Sequence, residues 1–333
     1  MSCPPPLESD NASAKPVPET ELRELAAFIK KRAAEMGFAA CGIASVEPLT
    51  GHGRFLDWIQ RGYFASMRWI AREDAAWKRG DVRRIVPSAQ SVVCVAMHYR
   101  TREEWPEEMT GKVARYARGV DYHDIIVPRL RQLQNEIQAR IPCEGRAYAD
   151  TGPLLERELA QRAGIGWIGK NTMLLSRELG SYFLLGEIML SLPLPPDAPH
   201  VAQYCGSCTR CLDACPTQAF TAPGVLNANR CISFHTIENR EHLPHGLREK
   251  FGDWVFGCDI CQEVCPWNGK SEAFSDEPEL WTRQSAAPSL LEMLMAPQDE
   301  FSRAWKGSPV KRTKRRGLKR NALNVLRNRK ARD

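Results

Sequence analysis

The chain contains no run of eighteen apolar residues, which excludes an ordinary membrane-spanning helix. Its opening stretch, Met1–Pro18, lacks the apolar core of a secretory leader. A cytoplasmic protein is therefore expected, not an exported one stapled by disulfides, and residues 1–18 read as a loose tail. Nucleotide fingerprints are missing too. Gly164-x-Gly166-x-x-Gly169 follows a predicted helix instead of a strand, so it is no dinucleotide motif, and there is no Walker A loop. Acidic residues are scarce at one end: residues 311–333 hold eleven Lys or Arg against Asp333 alone, a net +10, while the remainder sums to −4. A mildly acidic body with a strongly basic end points to a polyanionic partner for that end.

Cysteine, by contrast, is abundant and patterned. Cys205-x2-Cys208-x2-Cys211-x3-Cys215-Pro216 has the spacing of a bacterial ferredoxin run around a [4Fe–4S] cluster, in which the fourth cysteine ligates a second cluster. A shortened echo follows, Cys258-x2-Cys261-x3-Cys265-Pro266, with Val255 where its first cysteine belongs and Cys231 free to fill the vacancy. The eight thiolates suit two cubanes. The crossover rule pairs Cys205, Cys208, Cys211 with Cys265, and Cys215, Cys231 with Cys258 and Cys261. Zinc uses C-x2-C pairs, but a repeated triple run ending in x3-C-P is poor zinc spacing. Cys41 and Cys94 lie in apolar runs and read as small core residues.

The remaining pattern predicts mixed α and β structure. Helical spacing of Leu22, Leu25, Ala26, Ile29 and Ala33 predicts a helix over 20–36 with Thr20 as N-cap. Strands are predicted over 38–46, 91–99, 146–150 and 182–193, and helices over 125–141, 154–163 and 311–330, with another beginning at Phe301. Lys112–Asp124 carries Arg115, Tyr116, Arg118, Asp121, Tyr122 and His123 among few aliphatics, and reads as a binding loop. Asp150 ends a strand before a helix, which suits either a helix cap or a catalytic group. The last helix has an apolar face, Leu318, Ala322, Val325 and Leu326, and basic residues elsewhere, as in a docked helix that contacts phosphates.

Together these segments resemble the epoxyqueuosine reductases, cobalamin-dependent oxidoreductases that complete queuosine in tRNA. The resemblance runs from about residue 20 to the end. It is carried by Tyr116-Ala-Arg118-Gly-Val-Asp121-Tyr122-His123, Asp150-Thr-Gly-Pro-Leu-Leu-Glu-Arg-Glu, Ala163-Gly-Ile-Gly-Trp-Ile-Gly-Lys170-Asn171-Thr, both cysteine runs, Cys231-Ile-Ser233 and Arg316-Gly-Leu-Lys-Arg-Asn-Ala-Leu. It implies a nitroreductase-like α/β (α+β) cobalamin domain over 19–195. It further implies a ferredoxin-like domain with two [4Fe–4S] clusters over 196–270 and a short basic helical, HEAT-like segment over 271–333 that touches tRNA. Asp150 is then the proton donor, buried so that its pKa is raised. Arg118, His123, Lys170, Asn171 and Ser233 are the further cofactor contacts, with the glycines of 164–169 giving the corrin close approach. Lys314, Arg315, Lys319 and Arg320 are the tRNA contacts. The pattern Asp-x-His-x-x-Gly is not completed, since Asp121-Tyr-His123-Asp-Ile-Ile126 ends in isoleucine, and no protein histidine is expected below the cobalt. The partners expected are tRNA bearing epoxyqueuosine and an external single-electron donor of flavodoxin or ferredoxin type, with the protein a monomer that uses no membrane. Two other readings share the cysteines: a corrinoid reductive dehalogenase, and a two-cluster electron-transfer protein without corrin.

Overall fold

The computed structural model describes residues 17–102, 105–280 and 288–332. Most of the expected tail, with Cys3, lies outside these residues, as does part of the connection after the second cysteine run.

The first helix, Glu19–Glu35, buries Leu22, Leu25, Ala26, Ile29 and Ala33 on one face. It begins one residue before the expected cap. Pro18 stands at the N-cap with no side-chain capping bond, and Glu19 and Glu21 occupy the first turn, where negative charge is favoured by the helix dipole. Thr20 is therefore inside the helix and caps nothing.

Four strands form the main sheet, in the order Ala40–Ser45, Ser91–His98, Phe183–Leu190, Gly145–Tyr148. All neighbours run antiparallel, so the architecture is α+β and not a parallel doubly wound sheet. The strand Ser91–His98 is buried along its whole length, and its alternation explains why. Val93, Val95 and Met97 face a core with the helices Glu19–Glu35 and His123–Arg140. Val92, Cys94 and Ala96 face a second core with Leu159 and Ala160 of the helix Glu156–Arg162. With both faces covered, a continuous apolar run is what such a strand requires. Cys94 is fully buried, as its sequence context implied.

A parallel pairing of Trp254–Phe256 with Lys112–Val113 joins the cysteine-bearing region to the sheet domain. A third core spans this junction. Trp105, Val113 and Ala117 pack with Val255 and Phe256, and with Leu290, Phe301, Leu318, Ala322 and Val325 of the C-terminal segment. That segment differs in detail from expectation. Gln298–Ala304 is a helix centred on Phe301, not one starting there. The long helix is Lys314–Lys330, preceded by a 3-10 turn, Pro309–Thr313. The joint is Lys314 at φ 63°.

Candidate active site and cluster module

Asp150 sits two residues past the strand Gly145–Tyr148, with φ 60°, in a region that residues other than glycine seldom adopt. The helix that follows begins at Glu156 behind Leu155, so Asp150 is not its cap. The turn projects the carboxylate outward, and the side chain is 66% exposed; the burial expected of it is not provided by this chain. Three side chains organise it, one of them through the backbone N–H of Asp150 itself. Tyr122 Oη donates to Asp150 Oδ2 at 2.8 Å. His123 Nε2 lies 3.9 Å from the same oxygen, and its Nδ1 is 2.7 Å from Asp121 Oδ1. The Asp150 N–H donates to Glu156 Oε1 at 2.7 Å.

The electrostatics follow from burial and pairing. The Asp121 carboxylate raises His123 above its ordinary value. Burial, then the charge of Asp150, hold Tyr122 far above the usual phenol range. Arg312, at the start of the basic segment, is raised by Glu238 and lies close enough for Asp150 to act on it in the same direction. The binding-loop reading of 112–124 thus meets Asp150 through Tyr122 and His123 and not through Arg118. Arg118 is buried, donates to the Val113 carbonyl at 2.9 Å and approaches Glu107 at 3.6 Å.

Lys170 and Asn171 bond backbone carbonyls of the cysteine-bearing region. Lys170 Nζ caps the carbonyls of Gly206 and Cys208 at 2.7 and 3.0 Å, and Asn171 Nδ2 reaches the Cys261 carbonyl at 3.4 Å. Both tie the sheet domain to the cysteine loops. The glycines before them are also explained by protein contacts: a Cβ on Gly166 would stand 2.0 Å from the Leu175 carbonyl, and one on Gly164 would stand 2.8 Å from that of Ala198.

The described cysteines are all free. Eight of them sort by mutual electrostatic influence. Cys211 is affected by Cys265, Cys205 and Cys208, and Cys265 by Cys205 and Cys208. Cys258 is affected by Cys231 and Cys261, and Cys231 by Cys215. Cys261 also senses Cys211, so the two sets adjoin there. Among the described residues no three His, Cys, Asp or Glu side chains converge as a single metal ion requires. Tetrahedral zinc would bring sulfurs to about 3.8 Å of one another. The Ala219 N–H donates to Cys215 Sγ at 3.3 Å, and the backbone N–H groups of Ser233 and Phe234, of Ile260, and of Trp267 and Asn268 favour the thiolates of Cys231, Cys258 and Cys265 in turn. Burial pushes the Cys231, Cys258 and Cys261 thiols up. Val255 is fully buried against the C-terminal helix; Cys231 arrives from a different element, just before the helix Ile232–Ile237.

Of the basic residues singled out at the C-terminus, two are engaged internally. Arg320 donates to the carbonyls of His235, Asn239 and Glu241, and Arg315 Nε to that of Ala296 at 2.7 Å. Lys314 and Lys319 are exposed. Sequence reading passed over Glu156 and Glu187. Glu187 was hidden inside an apolar strand, where a lone acid was itself the signal.

Two family models match. Residues 204–268 match the 4Fe-4S double cluster binding domain, and residues 79–151 match the epoxyqueuosine reductase QueG family, DUF1730. The chain is 41% identical to the epoxyqueuosine reductase of Gloeobacter violaceus over 90% of this chain and 95% of that one. Its fold is similar to an epoxyqueuosine reductase crystallised with an epoxyqueuosine-modified tRNA-Tyr stem loop, with TM-score 0.84 and 33% identity over 91% of this chain and 81% of that one. It is also similar to the Bacillus subtilis enzyme captured with its catalytic aspartate loop swung out of the active site, with TM-score 0.82 and 33% identity over the same shares. At this identity over nearly the full length of both chains, the protein belongs to the epoxyqueuosine reductase family.

Proposed function

We propose that this protein reduces epoxyqueuosine to queuosine in tRNA, with Asp150 as the proton donor, a cobalamin beside it and two [4Fe–4S] clusters. The observation that carries the reading is the Tyr122–Asp150–His123 arrangement on a left-handed turn. It matches the reaction's need. The epoxide takes up two electrons and two protons and loses water, leaving an alkene, and its oxygen departs well only if protonated as it leaves. Asp150 is exposed toward substrate, with Tyr122 and His123 fixing its inner oxygen. The relative with an epoxyqueuosine-modified stem loop and the one with its catalytic aspartate loop swung out support this assignment.

The residues fit the groups this reading implies. Eight free thiols in two adjoining sets, each with backbone N–H groups that favour thiolate, suit clusters held by Cys205, Cys208, Cys211 and Cys265, and by Cys215, Cys231, Cys258 and Cys261. The fit to a corrinoid rests on the outward Asp150 and on Arg115 Nε, a buried donor without an acceptor among the described residues. His123 faces a carboxylate from each ring nitrogen, Asp121 and Asp150. When bound, the clusters supply single electrons and the corrinoid supplies electron density at an epoxide carbon. His123 and Ser233 would face corrin or substrate, while Lys170, Asn171 and Arg118 hold the surrounding backbone. Residues 19–195 form the corrinoid domain, 196–270 the cluster domain and 271–333 the tRNA-facing segment. We also infer a cytoplasmic monomer served by a flavodoxin- or ferredoxin-type donor.

The test is turnover of epoxyqueuosine-containing tRNA by the anaerobically purified, cobalamin-loaded protein, read as nucleosides by mass spectrometry. Asp150→Asn is expected to keep iron and corrin and to form no queuosine. Near-normal activity would remove the acid role. Failure of the wild type to bind corrin, with iron at about eight per chain, would leave an electron carrier.

A further inference from the structure

Tyr122 is not the only restraint on Asp150. The turn's backbone is also pinned, by the bond from the Asp150 N–H to Glu156 Oε1 at 2.7 Å. Glu156 opens the helix Glu156–Arg162, which packs on the sheet face that holds Glu187. Glu187 is fully buried, in register with Cys94 on one side and Tyr148 on the other. Neither of its oxygens has a donor among the described side chains. The polar group facing it is Glu156. Two carboxyls hydrogen-bond only by sharing a proton, and a buried carboxylate without a donor is strongly disfavoured. The pair therefore retains a proton.

We propose that Glu156 and Glu187 form a latch for the catalytic turn, in which Glu156 accepts the Asp150 N–H and Glu187 steadies Glu156 from beneath. Glu156 is on this account a positioning residue. In the Bacillus subtilis relative the catalytic aspartate loop has a swung-out position, and a latch on the backbone of Asp150 is what sets the balance between such a state and the one seen here. Burial pushes Glu156 up to about 7, with Asp150 adding to it, and Glu187 further still. Arg157 and Arg79 favour the ionised form of Glu156, and Cys94 and Tyr148 are the titratable groups in register with Glu187. An ionised acceptor makes the stronger bond, so the latch tightens as pH rises through neutrality. The proposal builds on the reading of Asp150 as proton donor.

Amide hydrogen exchange on the purified holoenzyme tests it, read at the peptide spanning Asp150 and corrected for intrinsic pH dependence. Wild-type protection of the turn should rise through about pH 7. Glu156→Ala should exchange about tenfold faster or more above that pH, with kcat lowered and KM for tRNA unchanged. Glu156→Gln, whose amide oxygen still accepts, should keep most of the protection and lose its pH dependence. Wild-type exchange in Glu156→Ala, or an unaltered pH dependence in Glu156→Gln, overturns the latch. If the alanine variant does not fold, the glutamine comparison decides alone. Activity of Asp150→Asn separates the two readings. Its retention would end the catalytic assignment, while the exchange results would still stand or fall on their own.

Discussion

Tyr122 Oη donates to Asp150 Oδ2 at 2.8 Å across 28 residues of sequence. The donor is rigid and almost wholly buried, the acceptor is on an exposed turn, and the phenol is held far above its ordinary value by burial. It stays protonated at any working pH and aims one carboxylate oxygen. Tyr122→Phe removes that aim without changing the packing volume much. A hydrogen bond to a charged group contributes about 1.5–3 kcal/mol, so single-turnover rates should fall about 10- to 100-fold, with tRNA affinity unchanged. An unaltered rate would mean that the bond does not orient the acid.

The cysteines proposed as cluster ligands carry a sharper contrast than their count. Cys231→Ser should lower iron from about eight to about four per chain, with loss of one cluster signal in electron paramagnetic resonance of the reduced protein. Restoring the regular ferredoxin spacing by Val255→Cys should not rescue it. Residue 255 is fully buried in a core with Leu318, Ala322 and Val325, and its carbonyl accepts from Asn321 Nδ2 at 2.8 Å. Recovery of the second cluster in the double variant would contradict this geometry.

That contrast also marks what the sequence could tell. Cysteine spacing is a local pattern, and so are the strand Ser91–His98 and the helix Glu19–Glu35; each is legible from its own residues. The antiparallel order of the sheet depends on which strands meet across long stretches of chain, and no local period encodes it. Gly166 looks like a ligand cradle because glycine reports close approach without saying to what, and the neighbour is Leu175. The resemblance implies a cofactor contact for Lys170 and a tRNA contact for Arg320, and what sequence could not show is that their ammonium and guanidinium groups also bond backbone carbonyls of the cysteine-bearing region. Asp150 stands out in the sequence, but its exposure does not, because a left-handed turn at a non-glycine residue leaves no trace in composition.

The pairing of Glu156 with the buried Glu187 makes stability depend on pH in a definite direction. Burial raises Glu156 from 4.5 to about 7 and Glu187 well above 4.5. An acid raised on folding contributes stability that is complete below its unfolded value and is lost as pH rises through its folded value. Glu187→Gln is neutral throughout and can donate to Glu156. Its melting temperature should therefore fall less than that of wild type between about pH 4.5 and 8 and exceed it at the alkaline end. Thermal unfolding across that range checks this; parallel curves for the two proteins would show that the pair does not titrate.

The basic C-terminal helix divides into residues that hold it and residues that face outward, and the two classes should fail differently. Arg320 is pushed down to about 10 by burial and bonds the carbonyls of His235, Asn239 and Glu241, while its neighbour Asn321 is fixed to the carbonyls of Thr236 and Val255, each at 2.8 Å. Arg320→Ala leaves three carbonyls short of a donor and should destabilise the protein by about 2–4 kcal/mol, seen as a lower melting temperature. Lys314 and Lys319 are exposed on the same helix. Replacing both by Gln should leave the melting temperature in place, weaken tRNA binding, and reduce the slope of log affinity against log salt by about 0.7–0.9 for each phosphate no longer neutralised. Binding titrations at several salt concentrations distinguish the outcomes. A slope unchanged in the Lys314→Gln, Lys319→Gln protein would mean that these lysines are merely solvated, and that tRNA is held by other parts of the chain.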